Sequence, residues 1–316
     1  MNFIILGAGG VGSFYGARLI FSGHNVTFVA RGEHLRTLQQ NGLKLLHPKF
    51  SFDKKVKALA LNNLSSKLLH DIDAVIITTK STSTLSIAKE LLEILKSSES
   101  IPYIISLQNG VENEKILCEF FDRKSVIGGL TRKIGAHIIE PGVIEVTGNV
   151  ETIIGAIEKD EKNRAFLDKF TEIIQECDIK CEVVDDINFE LWKKLIINNG
   201  VNAICALLRI KTGELMSHEK LSKIVFGLMN ETAIAAKVDK VFFSSDDVSQ
   251  MYELIKNFDS IKPSMLVDVE HNREIELDEI CNIVIENCQL QDIDAPYTRT
   301  ISTLLEFTYI ENKNKV

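Results

Sequence analysis

A lysine and two asparagines, Lys194, Asn198 and Asn202, recur at intervals of four in the stretch Glu190 to Asn202. On a helix that interval lines all three side chains along one face, while Leu195, Ile196, Ile197 and Val201 mark most of the same helix as buried. Asparagine is a poor helix former because its amide competes for backbone hydrogen bonds, so its repeated use asks for a reason. A polar row facing a cleft supplies one, since each carboxamide can donate to a carboxylate and accept from a hydroxyl. Reducing a ketone by hydride leaves an alkoxide that must be stabilised and protonated, and an ammonium group does both. Lys194 is therefore read as a general acid, against the plainer alternative of a lysine that snorkels to solvent. Lys193 points roughly 100° away around the helix and is the poorer candidate.

A second group of residues could hold a nucleotide. Gly7-Ala8-Gly9-Gly10-Val11-Gly12 fits G-x-G-x-x-G, follows the strand Phe3 to Leu6, and opens the apolar helix Ser13 to Phe21. In that setting Gly7 allows a tight turn, Gly9 lets backbone approach a pyrophosphate, and Gly12 lets helix and strand pack closely. The next strand ends at Arg31, where an Asp or Glu would accept from a ribose 2′-hydroxyl. A guanidinium cannot accept but can hold a 2′-phosphate, so NADP is expected over NAD, with His34 and Arg36 as helpers at most. Lys80 and Asn109-Gly110 end two further strands, at the carboxyl edge where such sheets bind ligands.

The elements that must position these groups follow from periodicity. Phe3 to Leu6, Val26 to Ala30, Ala74 to Thr79 and Tyr103 to Leu107 read as strands, and Ser83 to Leu95 as a crossover helix, which is the rhythm of a parallel sheet. From about Ile134, paired apolar runs around Pro141-Gly142 and Gly148-Asn149 suggest antiparallel strands extending that sheet. After Val183-Val184 only helices are expected, at 187–208, 219–239, 246–257, 265–290 with a break, and 297–310. The fold class is α/β: a Rossmann-type dinucleotide-binding domain over 1–182, then an all-helical substrate domain over 183–316, with a ligand cleft expected where they meet.

Composition bounds the partners. The 316 residues are 45% hydrophobic and 25% charged, ordinary for a soluble chain with a sizeable core. A net charge of −8 with no basic stripe argues against nucleic acid. Apolar runs such as Val201 to Leu208 are too short to span a membrane, and the amino terminus lacks the pattern of a signal peptide. The six cysteines form no C-x-x-C pair and read as reduced packing thiols, so no metal is expected and the setting is cytoplasmic.

Taken in order, these segments resemble the ketopantoate reductases (2-dehydropantoate 2-reductases) over nearly the whole chain. The resemblance rests on Gly7 to Gly12, Arg31, Thr79-Lys80, Gln108-Asn109-Gly110-Val111-Glu112, Pro141-Gly142, Leu191-Trp192-Lys193-Lys194-Leu195, and Ser264-Met265-Leu266-x-Asp268 followed by Ile275-Glu276-Leu277-Asp278. It implies reduction of ketopantoate to pantoate by NADPH, on the way to pantothenate and coenzyme A. It further implies that Lys194 is the general acid, that Asn198, Asn202 and Ser264 hold the substrate, and that Asn109 lies beside nicotinamide and substrate. Glu276 resembles the family's carboxylate that contacts the cofactor and orders Lys194, and Lys80 and Arg31 its NADP-binding cations. The chain departs from the family in Cys281-Asn282-Ile283, in Ala203 after Asn202, and in Thr212, where some members carry a substrate-contacting asparagine; these bear on substrate more than on reaction type. The alternatives are a relative acting on another branched 2-oxo acid and a catalytically idle NADP-binding sensor, and a homodimer is left open.

Overall fold

The computed structural model describes residues 1–98, 100–257 and 259–311, the last two of these by their backbone alone. Two compact units divide the chain, Met1–Ile187 and Asn188–Val316, so the division falls five residues beyond the expected 182.

The first unit is built in the order β1 (Asn2–Leu6), α1 (Gly10–Phe21), β2 (Asn25–Val29), α2 (Gly32–Gln40), β3 (Leu43–His47), β4 (Phe50–Lys54), β5 (Lys57–Leu59), α3 (Ser66–His70), β6 (Ala74–Ile77), α4 (Thr84–Leu95) and β7 (Tyr103–Ser106). It continues with α5 (Asn113–Phe120), β8 (Val126–Arg132), β9 (Gly135–Glu140), β10 (Val143–Thr147), β11 (Glu151–Ala156), α6 (Glu161–Glu176) and β12 (Lys180–Val183). Eight strands form the main sheet in the order β12-β11-β8-β7-β6-β1-β2-β5. All neighbours are parallel except β8 and β11. The β-branched runs are buried on both faces, as a parallel sheet requires. Phe3, Ile5, Ile76 and Ile105 face one layer with α1 and α6, while Ile4, Leu6, Val75 and Ile77 face the other with α4 and α5.

The strands after Ile134 do not all extend the main sheet: β9 and β10 join β3 and β4 in a separate four-stranded sheet, ordered β4-β3-β10-β9, and the chain returns to the main one with β11 and β12. The cause lies in α1, whose residues Gly12 to Leu19 are all buried. A helix apolar all round needs cover on both sides, and Leu43, Leu45, Ile144 and Val146 of the second sheet share the core with its Phe14, Tyr15 and Ala17. Gly10 makes the approach close, since a Cβ there would lie 2.2 Å from the Ala136 carbonyl of β9.

The second unit is helical, as expected. It comprises α7 (Ile187–Leu208), whose first residue closes the first unit, α8 (Thr212–Ser217), α9 (Glu219–Ala235), α10 (Ser245–Lys256), α11 (Ser264–Glu270), α12 (Ile283–Gln289) and α13 (Pro296–Leu305). The break expected within 265–290 is a non-helical stretch followed by a π-helical turn, Asp278–Asn282, that runs into α12. No described helix is long and apolar enough to cross a membrane.

Candidate functional sites in the two units

The glycine loop of the first unit is held from three sides. Gly7 and Ala8 donate to the Val29 carbonyl at the end of β2 (3.1 and 3.2 Å), and the Thr78 hydroxyl donates to the Gly7 carbonyl at 2.7 Å. Gly7 has φ +107°, a left-handed conformation that favours glycine, and any Cβ there would strike Thr79 at 2.7 Å. At Gly12 a Cβ would lie 2.2 Å from the Gly7 carbonyl and 2.3 Å from the Thr78 hydroxyl, so α1 can approach β1 only without one. Gly9 is different: nothing lies within 4 Å of its Cβ position. No side chain caps α1, and Val11 is half-buried beside this bare stretch of backbone. Open backbone at the amino end of a twelve-residue helix is what a pyrophosphate needs.

The cations expected nearby differ in placement. Arg31 is exposed and stands at the N-cap position of α2. Arg36 pairs with Glu33 at 2.8 Å. His34 is half-buried, its Nδ1 accepting from the Gly142 N–H at 3.1 Å, and burial lowers its pKa. It fastens the Pro141-Gly142 turn rather than presenting a cation.

Lys80 and Asn109 follow β6 and β7 and are joined through their backbones. Gln108 Nε2 donates to the Thr79 carbonyl (3.1 Å) and to the Thr84 hydroxyl (2.9 Å), which donates in turn to Asn113 Oδ1 at 2.7 Å. Asn113 Nδ2 and the Ser81 hydroxyl each donate to the Asn109 carbonyl at 2.7 Å. The Lys80 carbonyl accepts from the Ser83 hydroxyl at 2.7 Å. This latch leaves Lys80 exposed and Asn109 half-buried at the carboxyl edge of the sheet. Gln108 falls within the family-like segment 108–112, but the roles of Gln108, Thr84 and Asn113 are not legible in the sequence, because their partners lie 24 to 29 residues away. Glu114 was missed too. It is 2% exposed, and burial, partly offset by its own backbone and the nearby Ser106 hydroxyl, pushes its carboxyl up to about 7.

In the second unit α7 carries the polar row. Lys193, Lys194, Ile197 and Asn198 are half-buried, whereas Leu195, Ile196, Asn199 and every residue from Val201 to Ala206 are buried. Lys193 pairs with Glu190 at 3.5 Å. Asn202 is 2% exposed and has its carboxamide engaged at both ends. Its Nδ2 donates to the Asn198 carbonyl at 3.1 Å, and its Oδ1 accepts from the Ser264 hydroxyl at 3.3 Å and the Met265 N–H at 3.4 Å. Asn202 thus ties exposed Ser264, at the start of α11, to the helix that bears Lys194. Glu276 is buried, 8% exposed, two residues before the π-helical turn. Thr212 is buried with its hydroxyl donating to the Ile261 carbonyl (3.3 Å) and accepting from the Ile261 N–H (3.0 Å). All six cysteines are free thiols, and burial pushes Cys205 and Cys281 up to about 12. Among the described residues no three His, Cys, Asp or Glu side chains gather to hold a metal.

Comparison with known proteins agrees with both units. The model of the ketopantoate reductase PanE/ApbA family matches residues 3–159, and that of the family's carboxyl-terminal region matches residues 186–308. A 2-dehydropantoate 2-reductase of Pyrococcus horikoshii is 30% identical over 301 residues, covering 94% of this chain and 93% of its own. The crystal structure of the 2-dehydropantoate 2-reductase of Geobacter metallireducens superposes with a TM-score of 0.85 at 27% identity, over 98% of this chain and all of that one. A D-mandelate dehydrogenase solved with NADH and anilino(oxo)acetate shares the fold, with a TM-score of 0.88 at 22% identity over 98% and 99% of the two chains. With one family's models matching both units, the chain belongs to the ketopantoate reductase family of oxidoreductases.

Proposed function

We propose that the protein is an NADPH-dependent reductase that converts 2-dehydropantoate to pantoate in the cytoplasmic route to pantothenate and coenzyme A. The observation that carries this reading is the half-buried face of α7, where Lys194 stands one turn from Asn198, with Ser264 fastened to the same helix through Asn202. The residues of the first unit fit the cofactor. The open backbone at Gly9, with Gly7, Ala8, Gly10, Val11 and Gly12 around it, suits a pyrophosphate, and exposed Arg31 suits a 2′-phosphate. Lys80 adds a second cation, and Asn109 is set beside it by the latch through Gln108 and Asn113. The chemistry such a cofactor supplies when bound is hydride donation.

The chain's own residues then do the remaining work. Lys194, as an ammonium ion, stabilises the alkoxide that forms when the carbonyl carbon gains a hydride, gives it a proton, and regains one from solvent. Asn198 and Ser264 hold the substrate's carboxylate and hydroxyl by donating and accepting hydrogen bonds. Asn202 acts on the substrate through Ser264, because both ends of its own amide are engaged. Glu276 favours the charged form of Lys194 if the two approach. The reading is tested by following NADPH oxidation with ketopantoate, with Lys194→Ala on an intact fold as the companion variant; wild-type turnover by that variant would sink the mechanism.

A second reading within the same family, reduction of a 2-oxo acid without ketopantoate's distal hydroxyl, is favoured by Thr212. Its hydroxyl is taken up twice by Ile261 and offers the substrate one polar group fewer. Offering 2-oxoisovalerate beside ketopantoate separates the two.

A further inference from the structure

We propose that Asn199 is a positioning residue that sets the rotation of α7 about its axis, and with it the aim of Lys194 and Asn198; the proposal rests on the reading of Lys194 as proton donor. Asn199 stands roughly 100° around the helix from Asn198 and is wholly buried. Its Nδ2 donates to the Thr232 hydroxyl of α9 at 2.9 Å and to the Thr298 hydroxyl of α13 at 3.1 Å, with the Leu228 carbonyl further off at 3.4 Å. Neither threonine has a proton to spare. Thr232 donates to the Leu228 carbonyl at 2.9 Å and Thr298 to Glu231 at 2.7 Å, so both oxygens can only accept and the amide must point its nitrogen at them.

The pin is itself anchored. The Glu231 carboxylate also accepts from the N–H groups of Tyr297 (2.8 Å) and Thr298 (2.7 Å), which fastens the first turn of α13 to α9. Beside it, Gly200 lets α7 and α9 close up: a Cβ there would lie 2.9 Å from Met229 Cγ. The rest of the buried face of α7 is mostly apolar, and apolar contact tolerates a small rotation that a directional hydrogen bond does not. One buried polar residue within an apolar helix contact is the best attested device for fixing register.

Stability does not explain the amide. Its Oδ1 is buried with no hydrogen-bond partner among the described residues. Asn199→Leu would remove that orphan and leave both threonines bonded to their own acceptors, a change expected to be close to neutral for folding.

The test compares Asn199→Leu, Thr298→Val and Thr298→Ser with the wild type. Asn199→Leu is expected to melt no lower than wild type yet to lose about tenfold or more in kcat, with KM for NADPH unchanged. Thr298→Val should lose kcat alike but melt lower, because the buried Glu231 carboxylate loses a donor, and Thr298→Ser, which keeps the hydroxyl, should behave like wild type. A readout free of turnover is the rate at which an N-hydroxysuccinimide ester acylates Lys194 relative to Lys193, followed by peptide mass spectrometry. That ratio should shift in Asn199→Leu and Thr298→Val and hold in Thr298→Ser. An unchanged ratio and kcat in Asn199→Leu, equal losses in Thr298→Ser, or collapse of stability in Asn199→Leu would each overturn the pin. A wild type that reduces no 2-oxo acid refutes the functional reading alone, because the acylation ratio still decides whether α7 has turned.

Discussion

Two glycines of the nucleotide loop, three residues apart, should respond oppositely to the same added methyl group. Gly9 has extended backbone (φ −71°, ψ −166°) that any residue adopts, and nothing lies within 4 Å of its Cβ position. Gly9→Ala should therefore leave stability within about 0.5 kcal/mol of wild type, or raise it by up to about 1 kcal/mol by restricting the unfolded chain. At Gly12 the methyl would wedge between the Gly7 carbonyl and the Thr78 hydroxyl, which are themselves bonded at 2.7 Å. Overpacking of that kind costs about 1–3 kcal/mol. The gain from bound cofactor should instead fall at Gly9. With NADPH at a hundredfold excess over its dissociation constant the wild type gains about 2.7 kcal/mol of stability. A methyl group on the open face of Gly9 holds the pyrophosphate off, and a tenfold weaker complex loses about 1.4 kcal/mol of that gain, roughly half. Thermal unfolding with and without NADPH, backed by calorimetric titration, reads both quantities. A Gly9→Ala variant that keeps the full NADPH shift would refute the placement of the pyrophosphate, and a Gly12→Ala variant as stable as wild type would refute the packing argument.

Other predictions address the remaining groups. Lys194→Ala should lower kcat by about a hundredfold to ten-thousandfold, the usual worth of a positioned general acid, with NADPH affinity unchanged in titration. Arg31→Ala should erode the preference for NADPH over NADH by roughly tenfold to a hundredfold, the loss of one charge-assisted hydrogen bond, measured as the ratio of kcat/KM values. For Glu114, whose carboxyl is pushed up to about 7 from an ordinary 4.5, the fold binds more protons than the unfolded chain between those two pH values. Its contribution is thus fully present below about pH 4.5 and lost as pH rises to about 7, so Glu114→Gln should gain stability over wild type across that window, up to the order of 3 kcal/mol at pH 8. Denaturant midpoints at pH 5 and 8 decide it; equal differences at the two would contradict the assignment.

Residues that act with near neighbours were readable in the chain, and those that act across it were not. The glycine loop declares itself because strand, turn and helix are contiguous, and the row Lys194, Asn198, Asn202 because one helical period relates its members. That Asn202 is buried and serves Ser264 depends on a partner 62 residues away, which no periodicity reports. Asn199 sits one step off the row, and its partners Thr232 and Thr298 are 33 and 99 residues distant. Glu114 stands in Glu112-Asn113-Glu114-Lys115, which reads as a solvated turn until the fold buries one of its carboxyls. The second sheet did leave a signal. Leu43 and Leu45 alternate with polar or exposed positions, as do Phe50 and Phe52, and the apolar circumference of α1 calls for cover on two sides. Strands of five residues are short enough for that alternation to pass unnoticed.

Under the proposed function this chain reduces a 2-oxo acid with NADPH. The most direct test follows the loss of NADPH absorbance with ketopantoate, 2-oxoisovalerate, pyruvate and oxaloacetate offered side by side, and NADH as the control cofactor. Turnover that favours ketopantoate and NADPH is the predicted result. Failure to turn over any of the four acids, by protein shown to bind NADPH, would contradict it.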